Sequence, residues 1–437
     1  MSSVVLEKYS RLLNETDTLK YSGRVSKVIG LTIEAVGPAV NIGEVCDVFS
    51  ARDRKPIKAE VVGFRDNTVL LMPLGDMEGI GPGSSVIATG STLKVPVGEG
   101  MLGRVLNGLG VPIDGLGPLK FSSLFPVTNP PPNPLERRRI TEILELGIKS
   151  VDGLLTCGKG QRIGVFSGSG VGKSTLLGMI ARNTSADINV IGLVGERGRE
   201  VREFIENDLG EEGLKRSVVV VATSDQPALV RLKSAQLVTA IAEFFRSLGK
   251  DVMLMMDSLT RFALAQREVG LAIGEPPVSR GYTPSVFAAL PKLLERTGTA
   301  AKGSITALYS VLVDGDDMNE PIADTARGIL DGHIVLSRSL ANKNHYPAVD
   351  ILQSISRVMP NIIDRDHLRC AQRIKDIAAV YKDAEDLISI GAYNRGTSPD
   401  IDYALDKIET INDFLKQDTY ERISFENTIE RLKALLE

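Results

Sequence analysis

The sequence predicts an α/β protein with an N-terminal β-barrel, a central parallel sheet covered by helices, and a C-terminal helical bundle. Three patterns support this: short β-rich segments over 23–95, strand-like apolar runs alternating with helical patterns over 150–370, and helical periodicity over 371–437. A chain of 437 residues is long enough for two or three such domains.

Residues 1–22 predict a helix, because Val5, Leu6, Tyr9, Leu12 and Leu13 fall on one helical stripe. This helix either packs on its own domain or binds a partner protein. A terminal helix has little core of its own to bury its stripe against, so we expect a partner-binding helix while the first interpretation stays open.

Residues 23–95 predict the barrel. The segments GRVSKVIGLTIEAV, AVNIGEVCDVF, IKAEVVGF and NTVLLMPL are β-rich, with Gly, Pro or Asn at the breaks between them. Residues 96–150 are expected to be a lead-in to the central domain. The run NPPPNP at 129–134 is stiff and extended, which is typical of a connector.

Residues 96–370, including this lead-in, predict the central domain. Six apolar runs alternate with helical patterns: RIGVFS, INVIGLV, SVVVVATS, DVMLMMD, ITALYSVLV and GHIVLS. This alternation predicts βαβ units and a parallel sheet with helices on both faces. Residues 371–437 contain IKDIAAVYKDAEDLI, IDYALDKIETINDFL and FENTIERLKALL, which predict a compact helical domain.

Composition argues against several functions. The formal net charge of −4 is unlike that of a dedicated nucleic-acid-binding protein, and the one basic cluster, at 137–139, is expected to face solvent or a neighbouring subunit. The three cysteines and three histidines have the spacing of neither a disulfide framework nor a common metal site. The chain has no apolar run of membrane-spanning length and no signal peptide, so we expect it in the cytoplasm.

A phosphate-binding loop follows the first strand of the central domain. RIGVFSGSGVGKSTLL combines a strand, a glycine-rich turn and a helix, which predicts a RecA-like P-loop NTPase domain that binds ATP. Lys173 is expected to bridge the β- and γ-phosphates, and Ser174 to ligate Mg²⁺. Ser167 stands where the motif has its first glycine, and we expect modest strain there. The residues of the loop are Gly168, Ser169, Gly170, Val171, Gly172, Lys173, Ser174 and Thr175.

Two carboxylates complete the predicted site. Asp257 ends the run DVMLMMD, where an ionised carboxylate is costly unless a cation such as Mg²⁺ faces it, so Asp257 is predicted to be the second metal ligand. Glu196 lies at the carboxyl edge of the sheet, where it would polarise the attacking water. Spacing alone leaves equally open a surface ion pair of Glu196 with Arg197 or Arg199.

The motifs resemble a known superfamily. SGSGVGKST, GERGREVREF, MMDSLTRFALAQRE, PPVSRGYTPSVFAALPKLLER and YPAVDILQSISRVMP resemble, in order and spacing, the rotary ATPases related to the F1 catalytic subunit. Within that superfamily, MPLGDMEGI, NGLGVPIDG and DSLTRFA are most similar to the flagellar type III protein-export ATPases. The resemblance extends over nearly the whole chain.

The resemblance implies roles for individual residues. Glu196 matches the catalytic glutamate of the family, and Arg357 of SISRVMP matches an arginine finger that reaches the site of the neighbouring subunit. Tyr346 of YPAVD matches the aromatic residue that stacks on adenine. Tyr393 of IGAYNRG would form the other wall of the base pocket.

The resemblance also implies partners. A homohexamer would hydrolyse Mg-ATP to drive or assist the unfolding and export of substrates delivered with their chaperones. A stator-like regulator would bind the N-terminal helix, and a coiled-coil stalk protein would enter the ring. The export gate would hold this cytoplasmic protein at the inner face of the cell membrane, and no nucleic-acid partner is expected.

Four alternatives stay open. An injectisome ATPase of a virulence system differs at no decisive residue. F1 or V1 ring subunits usually carry a longer C-terminal region. A nucleic-acid-translocating hexamer needs a basic, aromatic-bearing surface, which the predicted barrel lacks. An ATP-gated scaffold without turnover does not need Glu196.

Overall fold

The computed structural model describes residues 21–50, 55–313, 315 and 317–436. The helix predicted at the N-terminus lies outside this part, apart from its last two positions. The chain forms two compact units. The first comprises the N-terminal part of the chain as far as Lys94, together with the two short segments Pro227–Val230 and Glu268–Pro276, and the second comprises the remainder. Within the described residues, no helix is long and apolar enough to span a membrane.

A closed antiparallel barrel forms the first unit, with the strand order β1-β2-β5-β4-β3-β6. Apolar residues from all six strands form the barrel core, among them Val25, Ile33, Val48 and Leu71. The predicted barrel is confirmed. Its strands are β1 Ser22–Ile29, β2 Thr32–Val36, β3 Glu44–Phe49, β4 Pro56–Arg65, β5 Thr68–Pro73 and β6 Ser85–Thr92.

The central sheet of the second unit runs in the order β17-β16-β10-β15-β13-β11-β12-β8. Neighbouring strands are parallel except β17, which is antiparallel to β16. The strands are β8 Val105–Asn107, β10 Arg162–Ser167, β11 Ile188–Glu196, β12 Ser217–Thr223, β13 Asp251–Asp257, β15 Ser304–Leu312, β16 Gly332–Leu336 and β17 Val349–Ser356. Outside this order, β14 Gly298–Thr299 pairs with β15, and β7 Lys94–Val97 pairs with β9 Ser123–Pro126.

Helices connect the strands and form the C-terminal part of the chain. They are α1 Lys149–Leu154, α2 Lys173–Asn183, α3 Gly198–Glu203, α4 Gly210–Lys215, α5 Ala228–Ser247, α6 Leu259–Ile273, α7 Pro284–Leu294, α8 Pro321–Ile329, α9 Arg338–Asn342, α10 Met359–Ile362, α11 Arg365–Ser389, α12 Pro399–Leu415 and α13 Phe425–Ala434. A π-helical turn at Phe204–Leu209 lies between α3 and α4, and short 3₁₀ turns occur at Glu99–Met101 and Pro134–Glu136.

The predicted central sheet and C-terminal helices are confirmed. The six apolar runs correspond to β10, β11, β12, β13, β15 and β16, and the three tail patterns correspond to α11, α12 and α13. The lead-in contributes more than a connector, because β8 joins the edge of the main sheet. A strand of three residues is too short to show a period in the sequence.

The expectation that the basic cluster at 137–139 faces solvent or a neighbour is wrong for Arg137. Its side chain is 18% exposed, and its guanidinium donates a hydrogen bond to the carbonyl oxygen of Thr297 at 2.7 Å. The extended proline-rich lead-in brings Arg137 to a carbonyl group that lies 160 residues further along the chain. Such a distant acceptor has no local sequence signal.

A buried ion pair holds the same region together. Arg296 donates two hydrogen bonds to the carboxylate of Glu243, at 2.9 and 2.8 Å, and both side chains are at most 5% exposed. Asn129, in the proline-rich run, donates to Glu243 at 2.8 Å, and Arg246 donates to the carbonyl oxygen of Arg296 at 2.9 Å. The charges are therefore both paired and hydrogen-bonded, as burial requires.

Replacing Glu243 with alanine leaves the Arg296 charge buried without its partner, and should lower the free energy of unfolding by about 3–5 kcal/mol. Chemical denaturation of both proteins measures this change. Glu206→Ala is the control, because it breaks the Arg202–Glu206 pair whose side chains are 79% and 57% exposed, a change expected to have little effect on the free energy of unfolding. Equal destabilisation by the two substitutions would contradict the structural role of Glu243.

Candidate nucleotide-binding site

The phosphate-binding loop joins the end of β10 to the start of α2. Gly170 and Gly172 have φ of +76° and +89°, a left-handed conformation that glycine adopts without steric cost. The loop therefore ends with the unpaired N–H groups of the first turn of α2 directed outward, which suits phosphate oxygens. The expected strain at Ser167 is absent, because this residue continues the extended backbone of β10.

Lys173 and Asp257 form an ion pair across the site. The Lys173 ammonium donates to Oδ1 of Asp257, and the two side chains are 12% and 7% exposed. The hydroxyl of Ser310, on β15, donates to the same Asp257 oxygen at 2.6 Å. Parallel strands bring these groups together, because β10, β15 and β13 are neighbours whose carboxyl ends meet at one edge.

The residues at this edge fit Mg²⁺ bound together with nucleotide. Asp257 offers a carboxylate, and Ser174 offers a hydroxyl one residue after the start of α2. The described residues contain no cluster of three or more His, Cys, Asp or Glu that could hold a metal alone. Mg²⁺ commonly takes one or two protein ligands and completes its shell with phosphate and water.

Glu196 ends β11 near the Lys173–Asp257 pair. Burial and, to a smaller extent, the neighbouring Asp257 charge raise the pKa of Glu196 to about 7, although Lys173 acts in the opposite direction. Its Oε1 is buried and, within the described part of the chain, has no hydrogen-bond partner. A buried carboxyl oxygen with free lone pairs is well suited to accept a proton from water.

The surface ion-pair alternative for Glu196 is not observed. Arg197 pairs with Glu200 at 3.4 Å, and Arg199 pairs with Glu203 at 3.5 Å, each one helical turn along α3. Both arginine side chains are more than three-quarters exposed. The charges near enough to Glu196 to shift its pKa include those of Asp257 and Lys173.

Sequence reasoning missed two residues beside the predicted site. Ser310 lies within ITALYSVLV, where a serine in an apolar strand carries no functional signal. Arg261, from DSLTRFA, packs closely against Gly195. A β-carbon added to Gly195 would lie 2.9 Å from the β-carbon of Arg261. The Nε of Arg261 is buried without a partner among the described residues, and its charge lowers the pKa of Glu196.

Tyr346 lies beside the phosphate loop. A β-carbon placed on Gly172 would be 3.3 Å from Cε1 of Tyr346, so the ring packs against the loop with 41% of the residue exposed. The carbonyl oxygen of Tyr346 accepts a hydrogen bond from the backbone N–H of Gln417 at 2.9 Å. Tyr393 lies between α11 and α12, where its hydroxyl donates to Asp402 at 2.9 Å.

Arg357 lies just beyond β17 and is exposed. Its side chain donates to the carbonyl oxygen of Arg327 at 3.3 Å. Within the described residues, no hydrogen bond or ion pair joins it to Lys173, Asp257 or Glu196. The structure therefore brings Lys173, Asp257 and Glu196 together, whereas Arg357 is exposed and its side chain contacts Arg327 instead.

Comparison with protein families covers all three parts of the chain. Residues 147–356 match the nucleotide-binding domain of the ATP synthase alpha/beta family, and residues 25–90 match the β-barrel domain of that family. Residues 363–434 match the T3SS EscN ATPase C-terminal domain.

Individual proteins are similar over almost the full length. The flagellum-specific ATP synthase of Bacillus subtilis (strain 168) is 59% identical over 421 residues, which is 96% of either chain. The type 3 secretion system ATPase of Xanthomonas euvesicatoria is 51% identical over 94% of this chain and 93% of its own. The assembled ATPase EscN, solved with its central stalk EscO from the enteropathogenic E. coli type III secretion system, is 46% identical with a TM-score of 0.88, and the match covers 95% of this chain and 100% of that one. Because the family models match all three parts and these relatives are at least 46% identical over almost the full length, the chain belongs to the flagellum-specific ATP synthases and type 3 secretion system ATPases of the ATP synthase alpha/beta family, and it is an ATP hydrolase.

Proposed function

We propose that this ATP hydrolase serves flagellar protein export as a homohexameric ring in which each active site is completed by the neighbouring subunit. One observation carries the proposal: a single chain gathers Lys173, Asp257 and Glu196 at one sheet edge, while Arg357 is exposed and makes no hydrogen bond or ion pair with any of the three within the described residues. An arginine without such contacts to its own site is available to the site of another copy.

In this proposal the phosphate loop holds the β- and γ-phosphates through its N–H groups and Lys173. Ser174 and Asp257 would hold Mg²⁺, which would supply positive charge to the phosphate oxygens when bound. Nucleotide binding must first separate Lys173 from Asp257, because the lysine is needed at the phosphates. Glu196 then orients the attacking water and accepts its proton, and Arg357 of the next subunit neutralises charge on the transferred phosphoryl group.

Tyr346 is proposed to stack on adenine, because its exposed ring already lies against the phosphate loop. Tyr393 is proposed as the second wall of the base pocket. We also propose the division into a barrel over 23–95, an ATPase domain over 96–370 and a helical domain over 371–437. The N-terminal residues 1–22 would bind the stator-like regulator.

The flagellar assignment is supported by the higher identity to the Bacillus subtilis protein than to the Xanthomonas euvesicatoria protein, 59% against 51%. The injectisome system is therefore the second candidate. The match to a secretion-ATPase C-terminal domain favours export over an F1 or V1 ring subunit. The EscN–EscO complex supports a stalk partner inside the ring. Docking on the export gate would hold the protein at the inner face of the membrane, with exported substrates and chaperones as further partners.

Arg357→Ala tests the shared site. Wild-type specific ATPase activity should rise steeply with protein concentration as the ring assembles, and Arg357→Ala should assemble and bind ATP yet hydrolyse it about 10³-fold more slowly. Activity and particle size are measured on the same samples. Arg369→Ala, which removes an arginine whose side chain is 78% exposed, should behave as wild type. Activity independent of concentration, with a silent Arg357→Ala, would refute a shared site.

Protonation of Glu196 should make the ATPase activity fall at acid pH, which gives the pH–rate profile an acid limb. Because its pKa is about 7, the carboxylate form that accepts a proton disappears as the pH falls below that value. We expect kcat/KM for ATP to fall about tenfold for each pH unit below the pKa of Glu196. Glu196→Gln should bind ATP, lose about 10²–10⁴-fold in rate and show no such limb. The control Glu206→Gln should show the same fall of activity at acid pH as the wild type. If Glu196→Gln also showed this fall, the group that is protonated would be one other than Glu196.

Ser310→Ala tests the positioning of Asp257. Without the Ser310 hydroxyl, Asp257 is less firmly oriented toward Mg²⁺, so the Mg²⁺ concentration for half-maximal activity should rise about 10–100-fold. Ser217→Ala is the control, because this buried hydroxyl in the same sheet donates to the carbonyl oxygen of Gly213 instead. An unchanged Mg²⁺ requirement in Ser310→Ala would show that the hydroxyl serves stability alone.

A further inference from the structure

The backbone that carries Arg357 is held by buried contacts, although the Arg357 side chain is exposed. The residue before it, Ser356, ends β17 and is 8% exposed. The N–H of Arg357 donates to the carbonyl oxygen of Asp331 at 3.0 Å, and its guanidinium donates to the carbonyl oxygen of Arg327 at 3.3 Å. A long exposed side chain takes its direction from the backbone that bears it, so these contacts decide where the guanidinium can reach.

The side chain of Gln161 joins this backbone to the start of β10. Gln161 is completely buried, and its amide makes three hydrogen bonds. Nε2 donates to Oγ of Ser356 at 3.0 Å and to the carbonyl oxygen of Asp331 at 3.3 Å, while Oε1 accepts from the N–H of Gly158 at 2.9 Å. The two donated bonds therefore end on the residue before Arg357 and on the same carbonyl group that the Arg357 N–H uses.

The hydroxyl of Ser356 has every hydrogen-bonding position filled. It donates to the carbonyl oxygen of Thr156 at 2.9 Å, and it accepts from Gln161 and from the N–H of Met359 at 3.3 Å. A hydroxyl offers one donor and two acceptor positions, so no other partner can be added. This saturation fixes the end of β17 against the segment that precedes β10.

The same segment also packs against the residue that follows Arg357. A β-carbon added to Gly158 would lie 3.2 Å from Cγ1 of Val358. Residues 156–161 therefore contact the chain on both sides of Arg357, through a hydrogen bond to Ser356 and through packing against Val358.

The opposite end of β10 carries the phosphate loop. Arg162 begins this strand of six residues, and Ser167 ends it. Arg162 donates to both carboxylate oxygens of Asp331, at 3.0 and 3.1 Å, so the first residue of the strand also holds the loop that Arg357 contacts. One short strand thus bears the phosphate loop of the chain at one end and the support of Arg357 at the other.

We propose that Gln161 and Ser356 are positioning residues for ATP hydrolysis, because they fix the backbone that directs Arg357 into the site of the neighbouring subunit. The inference rests on the proposed shared site. Gln161 and Ser356 act through Arg357 and not through ATP bound to their own chain. Their loss therefore lowers kcat and leaves the affinity for ATP unchanged.

A second buried amide–hydroxyl pair provides the matched control. Asn189 donates to Oγ of Ser217 at 3.3 Å, the Ser217 hydroxyl donates to the carbonyl oxygen of Gly213 at 2.6 Å, and both side chains are fully buried. This pair joins β11 to β12 in the same sheet. It has the chemistry of the Gln161–Ser356 pair without the link to Arg357.

A double-mutant cycle with Arg357→Ala tests the proposal in the full chain. Gln161→Met keeps the length of the side chain and removes its amide, so kcat should fall about 10–100-fold while the Kd for ATP changes less than about twofold. In the Arg357→Ala background the same substitution should change kcat less than about twofold, because the group that it positions is absent. Rates at saturating ATP, ATP titrations and particle size are measured for all four proteins.

Ser356→Ala provides a second cycle, which decides the matter if Gln161→Met does not fold. It should lower kcat about tenfold alone and less than about twofold with Arg357→Ala. Asn189→Leu and Ser217→Ala should change kcat less than about twofold in either background, because their effect is on stability alone.

The outcomes separate this inference from the shared site. If Arg357→Ala is slow, yet Gln161→Met and Ser356→Ala are either silent or equally harmful in both backgrounds, the shared site stands and the positioning role is overturned. Weaker ATP binding by Gln161→Met would also overturn it, because the amide would then serve the site of its own chain. A silent Arg357→Ala would overturn the shared site and this inference with it.

Discussion

The ion pair between Lys173 and Asp257 is the interaction on which the site depends. It joins the start of α2 to the end of β13, and Ser310 on the intervening β15 fixes the shared carboxylate oxygen. The pair exists because parallel strands end at one edge, so residues 84 positions apart in sequence become neighbours. In the pair, two buried charges of opposite sign compensate each other.

Burial at this edge has opposite consequences for the two acids. Asp257 has a cation and a hydroxyl beside it, so its charge is compensated. Glu196 has a bare buried oxygen and the Asp257 charge as its neighbour, which raises its pKa. The compensated charge of Asp257 suits the proposed metal ligand, and the raised pKa of Glu196 suits the proposed base. The different environments of two similar side chains separate the proposed roles.

The sequence predicted those parts of the protein that depend on local pattern. The buried parallel strands are continuous apolar runs, and the phosphate loop is a contiguous motif, so both were predicted correctly from residues in order. Strand β17 was not predicted as a strand, because VDILQSIS mixes buried and exposed positions at the sheet edge. Ser310 and Arg137 were missed or misassigned because their partners, Asp257 and Thr297, are adjacent only after folding. Local signals predict elements, whereas pairings between distant elements require the structure.

The segment after α12 connects the helical tail to both ends of the nucleotide site. At one end, Gln417 holds the backbone of Tyr346. At the other, Arg182 in the last turn of α2 donates to the carbonyl oxygen of Thr419 at 2.6 Å and lies over the Tyr420 ring, 5.3 Å from its centroid. The four residues 417–420 therefore contact both the residue proposed to hold the base and the helix that follows the phosphate loop. Because both contacts are made by one short stretch of backbone, a shift of the tail would move Tyr346 and α2 together.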